Sequence, residues 1–536
     1  MEDTYASTSW AWQFIQALKE GIIYPRWLPL NFWGYGSPTF ILYPPLAFYL
    51  AGLFNVFTGS VITAMNLSKF SALFLAGLGM FFLVKEFYSD KIALLTASFY
   101  VVFPYNIFQF YLVGTFYSTI SIMWFAPVIL FTYRYIKYRR YKDVIYAGLC
   151  YGGLILTHLI NAYMFTFVLI GFIFYMSIAQ RRLKDMVLIP SIITAGFLIS
   201  AVYILPVIFE KQFVKIKTFV GEGSGSGFVF DFHNFFILPN MTGRFSSDHL
   251  WRAFYNTFVF YVFLLCVLII LSLLLTYKLK KIEVMRSAKY VNNFFIGTAL
   301  FTIFLLFGIS TFVWETIPFF KYIQFAHRWL NITTFAVVFS SSVVFWGLGN
   351  IYGTKKEHKF MIGIIIAVLL PIGVTSFLLD YKYIRFAHIV DEKELIPGKT
   401  PNWYRVDLPA LVDIDRVDRN DTRKERVVIT NGRGKVGLSK WKSGERMIEI
   451  SADTSVSLRI RTFDFPGWKA YVDGMQTVIK TEKGAGAMLV DVPAGKHALI
   501  LKFEDTPVRY YSKIISLVSL FAMVVLILFP WKTNRG

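Results

Sequence analysis

Long apolar runs separated by short basic loops dominate most of the chain. A bilayer core of about 30 Å requires about 20 apolar residues per helix. The segments that approach this length are 62–84, 91–111, 118–136, 143–157, 160–179, 185–209, 255–277, 292–313, 330–350, 360–379 and 510–531. The pattern therefore predicts a polytopic α-helical membrane protein with about 11 transmembrane helices.

Lysine and arginine collect in the short loops and set the predicted orientation. Basic clusters lie at 134–142, 181–184, 278–289, 355–359 and 532–535. If all the predicted segments cross the bilayer, every cluster falls on one side, which the positive-inside rule assigns to the cytoplasm. We predict a multi-pass protein of the plasma membrane whose C-terminal tail is cytoplasmic.

The first 60 residues do not fit this alternation. Thr39–Phe57 is apolar, but it contains Pro44-Pro45, which disfavours one continuous helix. We interpret it as an interfacial or re-entrant helix on the outer face, with a second interfacial helix at 10–20. Because nothing in such a layer would translocate the N-terminus, we expect that a first transmembrane helix is missing.

Residues 381–508 contain no spanning segment and alternate with the period of two that strands require. Predicted strands lie at 426–430, 447–451, 456–461, 488–492 and 498–503, with turns at Asn431-Gly432, Asp473-Gly474 and Pro493-Ala494-Gly495. The pattern indicates an antiparallel β-sandwich, which the loop parity makes extracytoplasmic.

The chain therefore divides into four predicted regions. They are an outer-face layer at 1–60, a membrane module at 61–380 with an outer loop at 210–255, the sandwich at 381–508, and a final helix with its tail at 509–536.

Composition supports a membrane protein and narrows its partners. Hydrophobic residues make up 56% of the chain and charged residues 16%, against about 25% charged in soluble domains. The net charge of +21 could suggest nucleic acid, but many of the charges fall in the loops between apolar runs, so we predict a lipid bilayer as partner and no nucleic acid. Cys150 and Cys266 lie inside apolar segments, which argues against a disulfide framework or a cysteine metal site.

The sequence contains no phosphate-binding loop, no Gly-x-Ser-x-Gly elbow and no His-Glu-x-x-His zinc motif. Interest shifts to polar residues at the predicted outer face, where burial is costly and usually has a reason. The candidates are Asp3, the aromatic and Pro/Gly-rich run from Tyr24 to Leu46, His158, Glu210, and the group Gln324, His327 and Arg328.

Each candidate also has a structural explanation. A terminal acidic residue such as Asp3 is usually solvated, and a membrane histidine such as His158 more often hydrogen-bonds than catalyses. Arg328 has the geometry to grip a phosphate, but it could equally snorkel from a helix end. In the 210–255 loop, Gly221–Gly227 is either a lid or a plain connector, and Asp231, His233, Asp248 and His249 match no metal template well.

The order of these motifs resembles the GT-C superfamily of membrane glycosyltransferases, and most closely the membrane proteins called YfhO-like or 6-pyruvoyl-tetrahydropterin-synthase-related. The second label implies no pterin chemistry. The matching motifs cover nearly the whole chain: Asp3, Ala17–Gly21, Tyr24–Trp27, Gly34–Pro38, Tyr43–Leu46, Leu156–His158, Leu205-Pro206 with Glu210, Gln324–Arg328, Pro466–Gly474 and Val492–His497.

Two departures stand out. The family usually has a transmembrane helix before the Asp, and a His commonly follows that Asp by four positions, where this chain has Ser7.

The resemblance implies transfer of a sugar from a polyprenyl-phosphate donor to a glycan, lipid or protein acceptor on the outer face. By this carry-over Asp3 is the general base, and Arg328 binds the donor phosphate, with Arg26 a weaker candidate. The implied substrate cleft contains Tyr24, Tyr35, His158, Glu210, Gln324 and His327. No cofactor is implied, and nothing in the sequence supports a divalent metal.

Two other classes stay open. A transporter or lipid flippase would also be polytopic, although such proteins tend to place binding residues near the membrane midplane. Here Lys69 is the clearest ionisable residue within a span. A non-catalytic scaffold whose sandwich binds a partner is the third reading.

Overall fold

Apolar helices make up the larger part of the molecule. The computed structural model describes residues 2–110, 116–215, 265–274, 286–318, 320–323, 326–347, 408–417 and 425–529. Its α-helices are Glu2–Lys19, Asn31–Gly34, Thr39–Leu42, Leu46–Thr58, Val61–Lys85, Asp90–Val101, Pro104–Phe108, Phe116–Ser121, Phe125–Tyr138, Tyr141–Thr157, Leu159–Ala179, Leu188–Ile199, Ala201–Glu210, Leu265–Leu274, Arg286–Phe304, Thr311–Thr316, Ala326–Gly347 and Pro507–Leu528.

Five helices in the described ranges are long and apolar enough to cross a membrane. They are Val61–Lys85, Phe116–Tyr138, Leu159–Ala179, Ala326–Gly347 and Pro507–Leu528. Leu183–Ile199 and Ala201–Phe213 make a sixth if they count as one span, although they are bent by 82°. The predicted total of about 11 is therefore not confirmed, and the predicted span 360–379 lies outside the described residues.

Some predicted spans are shorter or interrupted. The segment 91–111 is divided into Asp90–Val101 and Pro104–Phe108, since Pro104 begins a new helix in its first turn. The stretch Thr39–Phe57 is likewise divided at Pro44-Pro45 into Thr39–Leu42 and Leu46–Thr58. The helix predicted at 10–20 extends back to Glu2, which places Asp3 in its first turn rather than ahead of it.

Small residues allow two of the helices to pack closely. Tyr141–Thr157 and Leu188–Ile199 meet through Gly148, Gly152 and Gly196, and a Cβ on any of the three would press on the facing helix. Small residues at such crossings are typical of membrane helices, where close backbone approach supplies the packing energy.

The strands form two antiparallel sheets. Their bounds are β1 Val427–Asn431, β2 Gly434–Trp441, β3 Glu445–Ala452, β4 Val456–Phe463, β5 Trp468–Val472, β6 Met475–Thr477, β7 Lys480–Thr481, β8 Ala487–Val492 and β9 Gly495–Phe503. One sheet has the order β1-β4-β8-β7 and the other β2-β3-β9-β5-β6. Inward-facing side chains of both sheets, such as Leu458 and Leu501, share one core, giving a sandwich-like region.

The loop between Tyr24 and Leu46 packs into that core as well. The Trp27 ring meets Trp468 edge-on at 5.5 Å and lies 5.4 Å from Phe503. Tyr35 stacks on Phe463 at 4.8 Å, and its carbonyl accepts a hydrogen bond from the Phe463 N–H at 3.0 Å. The loop thus forms part of the sandwich as well as part of the helical region.

Substitutions at two glycines of this N-terminal region test how much the packing of the loop on the sandwich contributes to stability. Gly36 has φ +81°, and a Cβ there would collide with the Trp27 indole; Gly21 has φ +88° and open space around it. We expect Gly21→Ala to cost about 1–2 kcal/mol through backbone strain alone. Gly36→Ala should cost clearly more, because the indole must leave its packing. Thermal unfolding of the detergent-solubilised variants measures the difference, and equal losses would contradict the docking.

Candidate functional site

Most of the residues singled out from the sequence gather at the end of the helices that faces the sandwich. At the opposite end, the basic loops pair with carboxylates: Arg134 Nε lies 2.7 Å from Glu86 Oε1, and Arg139 Nη2 lies 2.9 Å from Asp185 Oδ2. The helical region therefore has a basic end and an aromatic, polar end.

His158 lies between the helices Tyr141–Thr157 and Leu159–Ala179. Its Nδ1 accepts a hydrogen bond from the Asn161 N–H at 3.0 Å, so the side chain caps the second helix. Burial, and secondarily the charge of Arg328, lowers the pKa of His158 to about 3. At neutral pH the ring is uncharged, and because Nδ1 accepts, the proton is on Nε2.

Arg328 lies at the start of the helix Ala326–Gly347. Its Nη1 donates to the Ile323 carbonyl at 2.7 Å, and its charge acts on His158. The neighbouring His327 contributes its carbonyl, which accepts from the Tyr105 hydroxyl at 3.1 Å. Arg328 and His158 therefore belong to one neighbourhood. Gln324 lies outside the described residues.

A buried cluster of amides and hydroxyls lies beside His158. Asn161 Nδ2 donates to Ser121 Oγ at 2.6 Å and to Ser118 Oγ at 3.3 Å, and Asn331 Nδ2 reaches Ser118 Oγ at 3.4 Å. Within the described residues, Asn161 Oδ1 is buried and has no hydrogen-bond partner. Burying such an acceptor in an apolar interior costs free energy unless a hydrogen-bond donor pairs with it. We count the cluster as part of the candidate site.

Sequence reasoning missed most of this cluster. Ser118, Ser121 and Asn331 stand among other small polar residues, such as Thr119 and Thr333, at the start of apolar spans, and serine and asparagine are common in membrane helices. The available signal was that all three belong to predicted spans, where polar groups need partners.

A row of aromatic rings connects the first helix to His158. Trp10 lies 4.6 Å from Tyr43, Tyr43 lies 5.9 Å from Tyr117, and Tyr117 stacks on His158 at 5.3 Å. Asp3 precedes Trp10 by seven residues in the same helix, which is about two turns, or roughly 10 Å along the helix axis.

Tyr24 and Arg26 form a second pair. The Arg26 guanidinium lies 3.9 Å from the centre of the Tyr24 ring, and its Nη2 donates to the Val202 carbonyl at 3.0 Å. Burial raises the pKa of Tyr24 to about 12, against the opposing charge of Arg26. Arg26 is thus surrounded by different residues from Arg328.

Tyr35 and Glu210 have structural partners. The Tyr35 hydroxyl accepts from Arg459 Nη2 at 2.8 Å, and its ring is fully buried in the sandwich core. Glu210 accepts from Arg509 Nε at 2.9 Å and from the Thr506 hydroxyl at 2.6 Å. The two side chains therefore hold the sandwich, the loop and the last helix together.

Helices long and apolar enough to cross a bilayer, joined to a sandwich-like sheet region, define an integral membrane protein. A family model described as "6-pyruvoyl-tetrahydropterin synthase related domain; membrane protein" matches residues 40–384. The match covers more than half of the chain, and the protein belongs to this family, as the resemblance in its motifs predicted. No curated protein matches the chain significantly.

The buried pair Glu210–Arg509 provides a stability test. Glu210→Ala would leave the Arg509 charge buried and uncompensated, and we expect a loss of about 3–5 kcal/mol. As a control, Asp491→Ala removes the partner of Lys480 in an exposed pair and should cost at most about 1 kcal/mol. Thermal unfolding in detergent compares the two, and a small effect of Glu210→Ala would show that the pair is dispensable.

Proposed function

We propose that this protein is a membrane glycosyltransferase that moves a sugar from a polyprenyl-phosphate donor to a glycan, lipid or protein acceptor on the outer face of the plasma membrane. The observation that carries this proposal is that the charge of Arg328 acts on neutral His158, whose N-cap partner Asn161 belongs to the Ser118/Ser121/Asn161/Asn331 cluster. A cation next to hydrogen-bonding groups at the aromatic end of apolar helices suits a phosphate whose lipid tail stays in the bilayer.

The reaction that fits these groups has three events. The Asp3 carboxylate takes the proton of an acceptor hydroxyl, whose oxygen attacks the anomeric carbon of the sugar. The bond from that carbon to the phosphate oxygen breaks, and its electron pair stays on the departing polyprenyl phosphate. Arg328 stabilises the charge of this leaving group. Arg26, the weaker candidate for the donor phosphate, lies among different residues from Arg328 and is assigned no part in this step.

The remaining cleft residues have supporting roles. His158 would donate from Nε2 to the sugar or phosphate, and Gln324 and His327, carried over from the resemblance, would be further substrate contacts. Tyr24 supports Arg26 by packing its ring against the guanidinium. Tyr35 and Glu210 would act indirectly, since they position the loop and the last helix.

One observation favours a transporter or lipid flippase as the second candidate. The pair Leu183–Ile199 and Ala201–Phe213 is bent by 82°, and transporters commonly bind substrates at broken helices. Mass spectrometry of cell-surface glycans and glycolipids after gene deletion separates the two. A missing glycan supports transfer; an unchanged glycan profile with altered solute uptake supports transport.

The proposed base is tested by Asp3→Asn, which keeps the size of the side chain but removes its basicity. We expect kcat to fall by about 10²–10⁴-fold with a polyprenyl-phosphate sugar donor. Glu2→Gln is the matched control, because it neutralises the neighbouring carboxylate and should leave kcat nearly unchanged. Full activity of Asp3→Asn would remove Asp3 from the mechanism.

The proposed phosphate contact is tested by Arg328→Ala. We expect the KM for the donor to rise by about 10- to 100-fold, as for the loss of a hydrogen bond to a charged group, with a smaller change for the acceptor. Arg328→Lys should recover part of the loss, since it restores the charge but not the two-pronged geometry. An equal rise in both KM values would indicate a structural role.

A further inference from the structure

A cleft of about 530 Å³ lies between the N-terminal loop, the sandwich and the first turns of the last helix. Its walls come from residues 20–27, from Lys440 and residues 442–445 around the turn between β2 and β3, and from 502–505 with Lys513. None of its contacts includes Arg328 or His158, so the cleft is a separate site.

The carboxylates of the cleft are already engaged. Glu20 accepts from the Ser443 N–H at 2.8 Å, and Glu445 pairs with Lys440. Glu504 pairs with Lys469 at 2.8 Å and accepts from the Tyr471 hydroxyl at 2.9 Å. Asp505 pairs with Lys513. Three of these carboxylates are therefore paired with a lysine, and Glu20 is held by a backbone N–H.

Three cations of the cleft have no ion-pair partner at contact distance in the described part of the chain. Among the described residues, Lys442 and Lys502 form no ion pair, and both side chains are exposed. Arg26 is 3% exposed, and its Nε and Nη1 have no acceptor in the described part of the chain. A buried charge without a counter-charge acts strongly over several ångströms, since little water screens it. These cations therefore favour the binding of an anion in the cleft.

The surroundings of the cleft point to a lipid. Lys513 belongs to the helix Pro507–Leu528, which is apolar enough to span a bilayer and whose apolar 18-residue stretch is only 6% buried. Ile23, which also lines the cleft, is 85% exposed. An anion bound here would have polar groups of the sandwich on one side and apolar surface on the other, as a lipid headgroup does at the membrane interface.

We propose that this cleft binds the phosphate headgroup of a membrane lipid, with Lys442 and Lys502 in direct contact and Arg26 supplying charge from beneath. The proposal does not depend on sugar transfer. It concerns binding alone, so its failure would leave the glycosyltransferase proposal untouched, and the reverse is also true.

The test uses the full chain in nanodiscs of phosphatidylcholine, with or without phosphatidic acid. We expect phosphatidic acid to raise the Tm of the wild-type protein and the double variant Lys442→Gln/Lys502→Gln to lose this rise. Both lysines are exposed, so the variant should keep the wild-type Tm in pure phosphatidylcholine.

The matched control is Lys435→Gln/Lys496→Gln. Lys435 is an exposed residue of β2, the strand that precedes Lys442, and Lys496 is an exposed residue of β9, the strand of Lys502; both stand opposite Ser451 at the far end of the sheet. This control removes the same charge and should keep the rise. An equal loss in both double variants, or an undiminished rise in Lys442→Gln/Lys502→Gln, would overturn the proposal.

A further arm adds inorganic phosphate to wild-type protein in pure phosphatidylcholine. We expect no comparable rise in Tm, because free phosphate lacks the apolar contacts at the mouth of the cleft. A rise with inorganic phosphate and none with phosphatidic acid would identify a soluble anion as the ligand and overturn the lipid assignment.

Discussion

The buried ion pair between Glu210 and Arg509 holds the two parts of the molecule together. Both side chains are almost fully buried, and each satisfies the other at 2.9 Å. The Arg509 guanidinium also donates from Nη2 to the Pro466 carbonyl of the sandwich at 2.8 Å. Gly467, with φ +113° and no Cβ, allows this approach. A desolvated pair of this kind tolerates no missing partner, so it fixes helix and sandwich in one arrangement.

The candidate site depends on that arrangement. The sandwich seats the loop through Trp27 and Tyr35, and the loop carries Tyr43 to Tyr117, which stacks on His158. Contacts thus run without a break from the sheets to the histidine. This continuity gives the sandwich a physical role in shaping the site. A substitution that disturbs the packing of the loop on the sandwich should therefore shift the position of His158.

The same packing of loop, helices and sandwich forms two separate positively charged sites. Arg328 is half-buried beside neutral His158, where a charged ligand would meet hydrogen-bond donors in an apolar setting. Arg26, with Lys442 and Lys502, lines a wider cleft between loop and sandwich.

The sequence by itself determined the elements whose cause is local. Apolar length predicted helices at 62–84, 118–136, 160–179, 330–350 and 510–531, and Asn431-Gly432 and Asp473-Gly474 marked turns between strands. The strands named from the sequence do not include β2, β5, β6 and β7, which are short or only partly buried. Only the tertiary structure decided that Glu210 pairs with Arg509 and that Asn161, Ser118 and Asn331 share a cluster. Partners so far apart in the chain leave no periodic or local signal, because their pairing arises from how the helices and sheets pack.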